Sequence, residues 1–320
     1  MLVSLLKKFL HPYRLISAAV LAMLLVQSIS NLYLPRLNAE LINNGVAKGN
    51  LPYIWRTGFI MVGASGLIII ASMFISYMAS RIANNVARDI RKAVFTSVEN
   101  FSTRELNQFG APSLITRNTN DVSQIQMLVN MGLTMMIGAP ITGIGAVIMA
   151  LRTDVQLSGL LLVAVPVMSL IIWALLHRIV PLFRTAQTRL DRINLVIREQ
   201  IAGIRVIRAF VKTRYEEARF ADANTELMQV NLSVARTFAM MFPSLMMVMN
   251  LSSVAVIWFG AHLINNGEME IGNLIAFLNY IMQILMSVMM AVMMSMFIPR
   301  AQASAERIKE VIDLESSVVD

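Results

Sequence analysis

The run VQLSGLLLVAVPVMSLIIWALLHRIVPLFRTAQTRLDRINLVIREQIAGIRVIRAF, residues 155–210, starts as hydrocarbon and finishes in water without leaving helical phase. Apart from Pro166 and Pro181 it holds no strong helix breaker, so its 56 residues read as one nearly continuous helix. Such a helix measures about 84 Å, roughly 50 Å more than a bilayer core requires. In its charged part Ile193, Ile197, Ile201, Ile204, Ile207 and Val211 recur every three or four residues, a packing stripe with arginines on the other faces. Ile82, Val86, Ile90, Val94, Val98 and Phe101 extend a second apolar segment in the same way. Both stripes are expected to be buried by neighbouring helices, so that the two stalks, Arg81 to Asp121 and Arg178 to Arg236, form a bundle in water.

The composition agrees. Of 320 residues, 57% are hydrophobic and 14% charged, and the mean hydropathy is +0.64, which places the chain among membrane proteins. Six windows reach the roughly 20 apolar residues that a spanning helix needs: 15–35, 57–80, 123–151, 155–176, 237–264 and 271–298. The expected fold is therefore all-α, with six transmembrane helices. Connections one–two, three–four and five–six are short, while the stalks lie in the other two. An even number of spans with both long loops on one side puts both termini on that side.

Charge orients the chain. Of its 27 Lys and Arg, 23 lie on the long-loop side; only Arg36, Lys48, Arg56 and Arg152 lie on the other, balanced by Glu40, Asp154, Glu268 and Glu270. The whole net charge of +8 thus falls on one face, and the preference of Lys and Arg for the cytoplasm makes that face, with both termini, cytoplasmic. A basic chain also raises the idea of nucleic acid, but no recognition motif or basic-aromatic platform occurs, so no nucleic-acid partner is expected.

The absence of cysteine removes disulfides and thiolate chemistry. His11, His177 and His262 are dispersed, with no metal-ligand spacing. Residues 1–12 read as an amphipathic elbow lying in the membrane interface, with Lys7 and Lys8 among leucines and Pro12 turning the chain into the first span. No Asp, Glu, Lys or Arg occurs inside any window. Ion-coupled carriers need ionisable groups there, so the energy for any uphill movement must enter from outside the bilayer.

Several runs resemble a known family. EQIAGIRVIRAF (199–210) followed by RYEEARF (214–220) is similar to the fourth helix and second coupling helix of ABC exporters. SLITRNTND (113–121) resembles the start of their third helix, YLP (33–35) with LINNGV (41–46) the outer end of helix one, and ASAERIKEVID (303–313) the approach to a nucleotide-binding domain. MEIG (269–272) and LNYIMQI (278–284) point to one half of the heterodimeric bacterial multidrug exporters. The resemblance implies a type I exporter transmembrane domain over 1–313, a linker starting at 314–320, and two coupling helices that insert into nucleotide-binding domains. By motif position these are Thr103, Arg104, Glu105, Leu106, Asn107, Gln108 and Phe109, then Thr213, Arg214, Tyr215, Glu216, Glu217, Arg219 and Phe220. Phe109, Tyr215 and Phe220 would be the anchors and the charged residues a rim. Arg117 and Asp121 are expected to tie the stalks together.

These 320 residues contain no G-x-x-x-x-G-K-[ST] loop, so no residue here cradles a nucleotide phosphate. Leu157-Ser158-Gly159 echoes the family's ATP signature but lies in an apolar span. The expectation is a transmembrane domain whose ATPase, with ATP and Mg²⁺, is encoded further along the same protein or separately; the chain itself has no catalytic residues and no cofactor. Expected partners are a second half-transporter, as a heterodimer rather than a homodimer, nucleotide-binding domains, membrane lipid and a small hydrophobic substrate, in the plasma membrane of a bacterium.

Polar residues at depth face a bundle interior or cavity, and methionine suits a polyspecific surface. Gln27 and Asn31 in span one, Met246 and Asn250 in span five, and Asn279, Met282, Met286, Met289 and Met293 in span six, continued by Met296, are the candidate cavity residues. With no acid in the spans, hydrophobic or amphipathic compounds are the expected cargo. A lipid or lipopeptide flippase of the same architecture and a non-transporting membrane interaction module are the alternatives.

Overall fold

In a computed structural model, which describes residues 1–295 and 297–314, every regular element is helical. Met296 and all but the first residue of the expected 314–320 linker lie outside the described residues. In chain order the helices are α1 (Leu2–Leu10), α2 (Arg14–Glu40), α3 (Leu51–Glu99), α4 (Thr103–Phe109), α5 (Ala111–Thr116), α6 (Val122–Met131), α7 (Gly138–Thr153), α8 (Val155–Ser158), α9 (Leu161–Ala209), α10 (Thr213–Asn265), α11 (Ile271–Ser295) and α12 (Ile298–Ile312). Six stretches are long and apolar enough to cross a membrane. Helix is the form that lets each such segment satisfy its own backbone groups in hydrocarbon.

The chain divides into two compact units: Met1–Leu161 with Ala255–Asp320, and Leu162–Val254. In the first, α2 packs against α3, α7 and α11, α3 against α6, and α6 against α12. The first stalk behaves as its periodicity implies: Ile82, Val86, Ile90 and Val94 are fully buried and Phe101 nearly so. Two π-type turns, Arg117–Asp121 and Gly132–Met136, widen the segment between α5 and α7; such bulges recur at functional positions.

The second unit consists of most of α9 and α10, and here the expectation of a buried stripe needs correction. Ile193 is buried and Ile207 half-buried, but Ile201 and Val211 are 71% and 84% exposed, because the first turns of α10 cover only the Ile204–Ile207 side of that end. The long helix also starts later than residue 155. Asp154 caps α8 through the Leu157 amide at 2.7 Å, and the Gly159 and Leu160 amides then close a tight turn onto Gln156 and Leu157 before α9 begins.

The elbow α1 buries Leu5 and Phe9 and packs on α3 and α12. Just beyond it, the Tyr13 hydroxyl donates to Asp89 at 2.6 Å. Burial alone would raise the Asp89 carboxyl, but Tyr13, Arg88 and Lys92 outweigh it and hold it below the usual carboxylate range. The same bond raises the Tyr13 hydroxyl.

Helices α2 and α11 cross where Gly272 meets α2 and the turn after it. The Asn43 Oδ1 accepts from the Gly272 amide at 2.8 Å, and a Cβ on Gly272 would collide with the Ala39 carbonyl oxygen and Cα. Backbone cannot yield as a flexible side chain does. Gly272→Ala is therefore expected to destabilise the protein by about 1–3 kcal/mol, while Gly66→Ala, where nothing lies within 4 Å, should be close to neutral. Thermal unfolding followed by retention of the monodisperse peak checks both; equal effects would contradict the close approach.

At the stalk end, Asp121 has no exposed surface. It accepts from Arg307 Nε at 2.7 Å, from Arg307 Nη2 and from the Ser304 hydroxyl at 3.0 Å. That carboxylate raises the Arg307 guanidinium above its ordinary value. Arg307 is half exposed, so Asp121→Ala should cost about 2–3 kcal/mol, somewhat below the figure for a fully buried pair. Ser304→Ala should cost about 1 kcal/mol. The same thermal assay measures both, and a harmless Asp121→Ala would contradict this assignment.

Candidate functional site

Within the first unit, α2, the Gly132–Met136 turn, α7 and α11 line an open cavity of about 300 Å³. Its wall has no charged side chain. Gln27, Ser28 and Asn31 come from α2, Thr134 and Met135 from the π-type turn, Gly138, Ala139 and Thr142 from α7, and Gln283, Met286, Ser287 and Met290 from α11. Close helix approach makes the wall possible: a Cβ on Gly143 would clash with Ser287 and one on Gly145 with Leu32, so α7 lies tight against α11 and α2 beneath the cavity.

Several polar groups on this wall are already engaged. Ser28 and Thr142 hydroxyls share a hydrogen bond of 3.3 Å, Thr134 donates to the Asn130 carbonyl at 2.8 Å, and Ser287 donates to the Ile284 carbonyl at 2.7 Å. Gln283 Oε1 is buried with no donor among the described residues, an arrangement that calls for a ligand or water.

Of the cavity residues expected from sequence, the structure brings together Gln27, Asn31 and Met286. Asn279 is exposed and its amide donates to the Ile275 carbonyl at 2.9 Å. Met282, Met289 and Met293 are half-buried but do not line this cavity, and Met246 and Asn250 are exposed in the second unit. On α11 the lining face is 283, 286, 287 and 290. Methionine spreads over nearly half of this helix and overlaps the lining face at 286 and 290, so its periodicity did not separate adjacent faces; the hydroxyl of Ser287 and the amide of Gln283 were the usable signal.

At the stalk end of the same unit, α4 matches the expected Thr103–Phe109 helix. Ser102 and Glu105 form a capping box at its start, with the Ser102 amide donating to Glu105 at 2.8 Å. Gly110, at φ 74°, ends it in a region that favours glycine. Thr103, Arg104, Leu106, Asn107 and Gln108 are exposed, while Glu105 is buried. Phe109 does not point outward as an anchor: it stacks on Phe101 with ring centroids 6.0 Å apart and lies 4.6 Å beneath the Arg117 guanidinium. Leu106 is the apolar side chain that α4 presents.

Arg117 continues the connection. Its Nη1 donates to the Arg307 carbonyl at 2.6 Å and to Glu310 at 2.9 Å. The tip α4 is thereby linked through Phe109, Arg117 and Asp121 to α12. The sequence placed Arg117 and Asp121 in a structural tie between stalks; the partner they hold is α12.

In the second unit, Thr213–Phe220 are not a separate short helix but the first two turns of α10, since no glycine or proline follows until Pro243. The turn before it, Phe210–Lys212, puts Val211 at φ 54°, a conformation that a β-branched residue rarely adopts. Thr213, Arg214, Tyr215 and Glu217 are exposed, Tyr215 at 65%. Glu216, Arg219 and Phe220 are half-buried. Arg219 pairs with Glu199 and Glu216, and Glu199 raises the guanidinium above its ordinary value. Gln200 donates to the Glu216 carbonyl at 3.0 Å. A groove of about 200 Å³ lies between these turns and Ile204 and Ile207.

The ABC transporter transmembrane region matches residues 17–288. An uncharacterized ABC transporter ATP-binding protein of Mycobacterium tuberculosis is 43% identical over 318 residues, 99% of this chain and 55% of the relative. Another of Bacillus subtilis is 34% identical over 307 residues, 96% of this chain and 54% of the relative. An ATP-dependent lipid A-core flippase of Dechloromonas aromatica is 24% identical over 313 residues, 96% of this chain and 53% of the relative. The chain spans about half the length of the curated relatives it matches. Six apolar helices, an uncharged and mainly apolar cavity, and this match over most of its length make the chain a member of the ABC transporter transmembrane-region family, of the exporter type.

Proposed function

We propose that the chain is the transmembrane half of an ATP-driven exporter that moves hydrophobic or amphipathic compounds, of the multidrug kind, out of the cytoplasm by alternating access. The observation that carries this reading is the link from the exposed tip α4 through Phe109, Arg117 and Asp121 to α12. The segments so joined, 111–153 and α11 with α12, also wall the cavity. Spans without ionisable groups need an outside motor, and the relatives' names as ATP-binding proteins support a nucleotide-binding domain as that motor. ATP and Mg²⁺ would act there, since no residue of this chain forms a phosphate cradle.

Both tips would dock on such domains, α4 through Leu106 and its polar neighbours, and Thr213–Phe220 through Tyr215. Exposed Ile201, Val211 and Phe210 favour burial against a second half-transporter, in a heterodimer, with the charged side and both termini in the cytoplasm of a bacterium. The uncharged cavity wall supports an apolar or amphipathic cargo. The flippase relative supports a second reading in which the cargo is a lipid.

In the full-length complex, Tyr215→Ala should remove about 2 kcal/mol of docking energy and reduce both cargo-stimulated ATP hydrolysis and transport. Met286→Trp, which fills the cavity, should abolish stimulation by cargo. Unchanged stimulation in Tyr215→Ala would overturn the docking assignment, and unchanged stimulation in Met286→Trp the cavity assignment. Lipid rather than drug stimulation in reconstituted vesicles would favour the flippase reading.

A further inference from the structure

A second polar space lies further along the same helices, toward the short-loop end. At the short-loop end of the first unit, α2, α7 and α11 converge on a crevice of about 280 Å³. Arg36 and Glu40 enter it from α2, Arg152 from α7, and Asn273 and Tyr280 from α11.

Hydrogen-bond accounting leaves an excess of donors. Arg36 is neutralised by Glu40 at 3.2 Å. Arg152 has no acidic partner among the described residues, because the nearby Asp154 carboxylate caps α8. The Tyr280 hydroxyl donates to the Leu32 carbonyl at 3.1 Å. Asn43 takes the Gly272 amide on its oxygen, which fixes its orientation, so its own NH₂ donates to the Asn273 oxygen at 3.3 Å. Among the described residues the Asn273 NH₂ therefore remains uncommitted. One guanidinium and one amide NH₂ facing a small polar crevice suit an oxyanion, which a guanidinium can hold in two places at once.

The surroundings say what carries that oxyanion. One turn nearer the membrane centre, Tyr33 on α2 and Ile148 on α7 are exposed, at 43% and 47%. A polar headgroup site at the boundary with an apolar surface beneath it has the shape of a phospholipid, whose phosphate is the oxyanion that a guanidinium and an amide NH₂ can hold. We infer that this crevice binds the phosphate of an anionic membrane phospholipid, with Arg152 as principal cation, Asn273 as second donor, and the acyl chains along Tyr33 and Ile148. This inference is independent of what the cargo cavity carries.

The test is native mass spectrometry of the full-length protein in detergent, titrated with phosphatidylglycerol. Arg152→Gln should weaken binding about tenfold, the worth of one charge-assisted contact. Glu40→Gln, which frees Arg36, should tighten it severalfold. A mere packing change would move both variants in the same direction, and that result overturns the site. Equal affinities in all three proteins, or equal binding of a diacylglycerol that lacks the phosphate, also overturn it. Displacement of the lipid by inorganic phosphate at matched concentration would overturn the lipid assignment in favour of a free anion.

Discussion

A carboxylate with no exposed surface can persist only if its partners stay with it, and Asp121 is such a group. Arg307 and Ser304 supply three hydrogen bonds, so α12 is obliged to remain against the base of the third apolar segment. Arg117, four residues earlier, extends the tie in both directions: outward to the tip through the face of Phe109, and along α12 through Glu310. The surface pairs, such as Arg36 with Glu40, are worth far less because water competes for both partners. One buried charge thus fixes which helices move together.

The clasped elements continue in the chain into segments that wall the cavity, which on the reading proposed above links the buried pair to transport. Thr134, Met135 and Thr142 lie on the segment that carries Asp121, and Gln283, Met286 and Ser287 lie on the helix that leads into α12. The π-type turns at Arg117–Asp121 and Gly132–Met136 lie between clasp and cavity wall, where a helix adapts most readily. On the exporter reading proposed above, a push on α4 would pass through Phe109, Arg117 and Asp121 to α12 and so to the segments that wall the cavity. The spans themselves hold no charge that could drive such a change.

Much of this was legible in the sequence where one physical signal dominated. Hydropathy located six spans because hydrocarbon permits little else, whereas Thr103–Phe109 was placed by family resemblance; its caps at Ser102, Glu105 and Gly110, which are local chemistry, came only with the structure. The face of α11 was not legible: with Met at 282, 286, 289, 290, 293 and 294, periodicity cannot say which side meets the cavity, and tight passage at Gly143 decides it. The Ile201–Val211 stripe was read as buried because its spacing promises a neighbour, but spacing does not say that the neighbour belongs to the same chain. The direction of Phe109 depended on Arg117 and Phe101, which only the folded chain brings together. Nor could spacing show that Arg152 would lack an acid among the described residues, since Asp154, two residues away, caps α8 instead.

The most direct measurement of the clasp is a double-mutant cycle on Asp121 and Arg307 in the full-length complex, read as cargo-stimulated ATP hydrolysis. If the pair relays motion between tip and cavity, either Asp121→Ala or Arg307→Ala alone should abolish most stimulation, and the double variant should be no worse than the poorer single one, a coupling of about 1–3 kcal/mol. Losses that simply add would contradict the account, because they would mean that the two residues act separately.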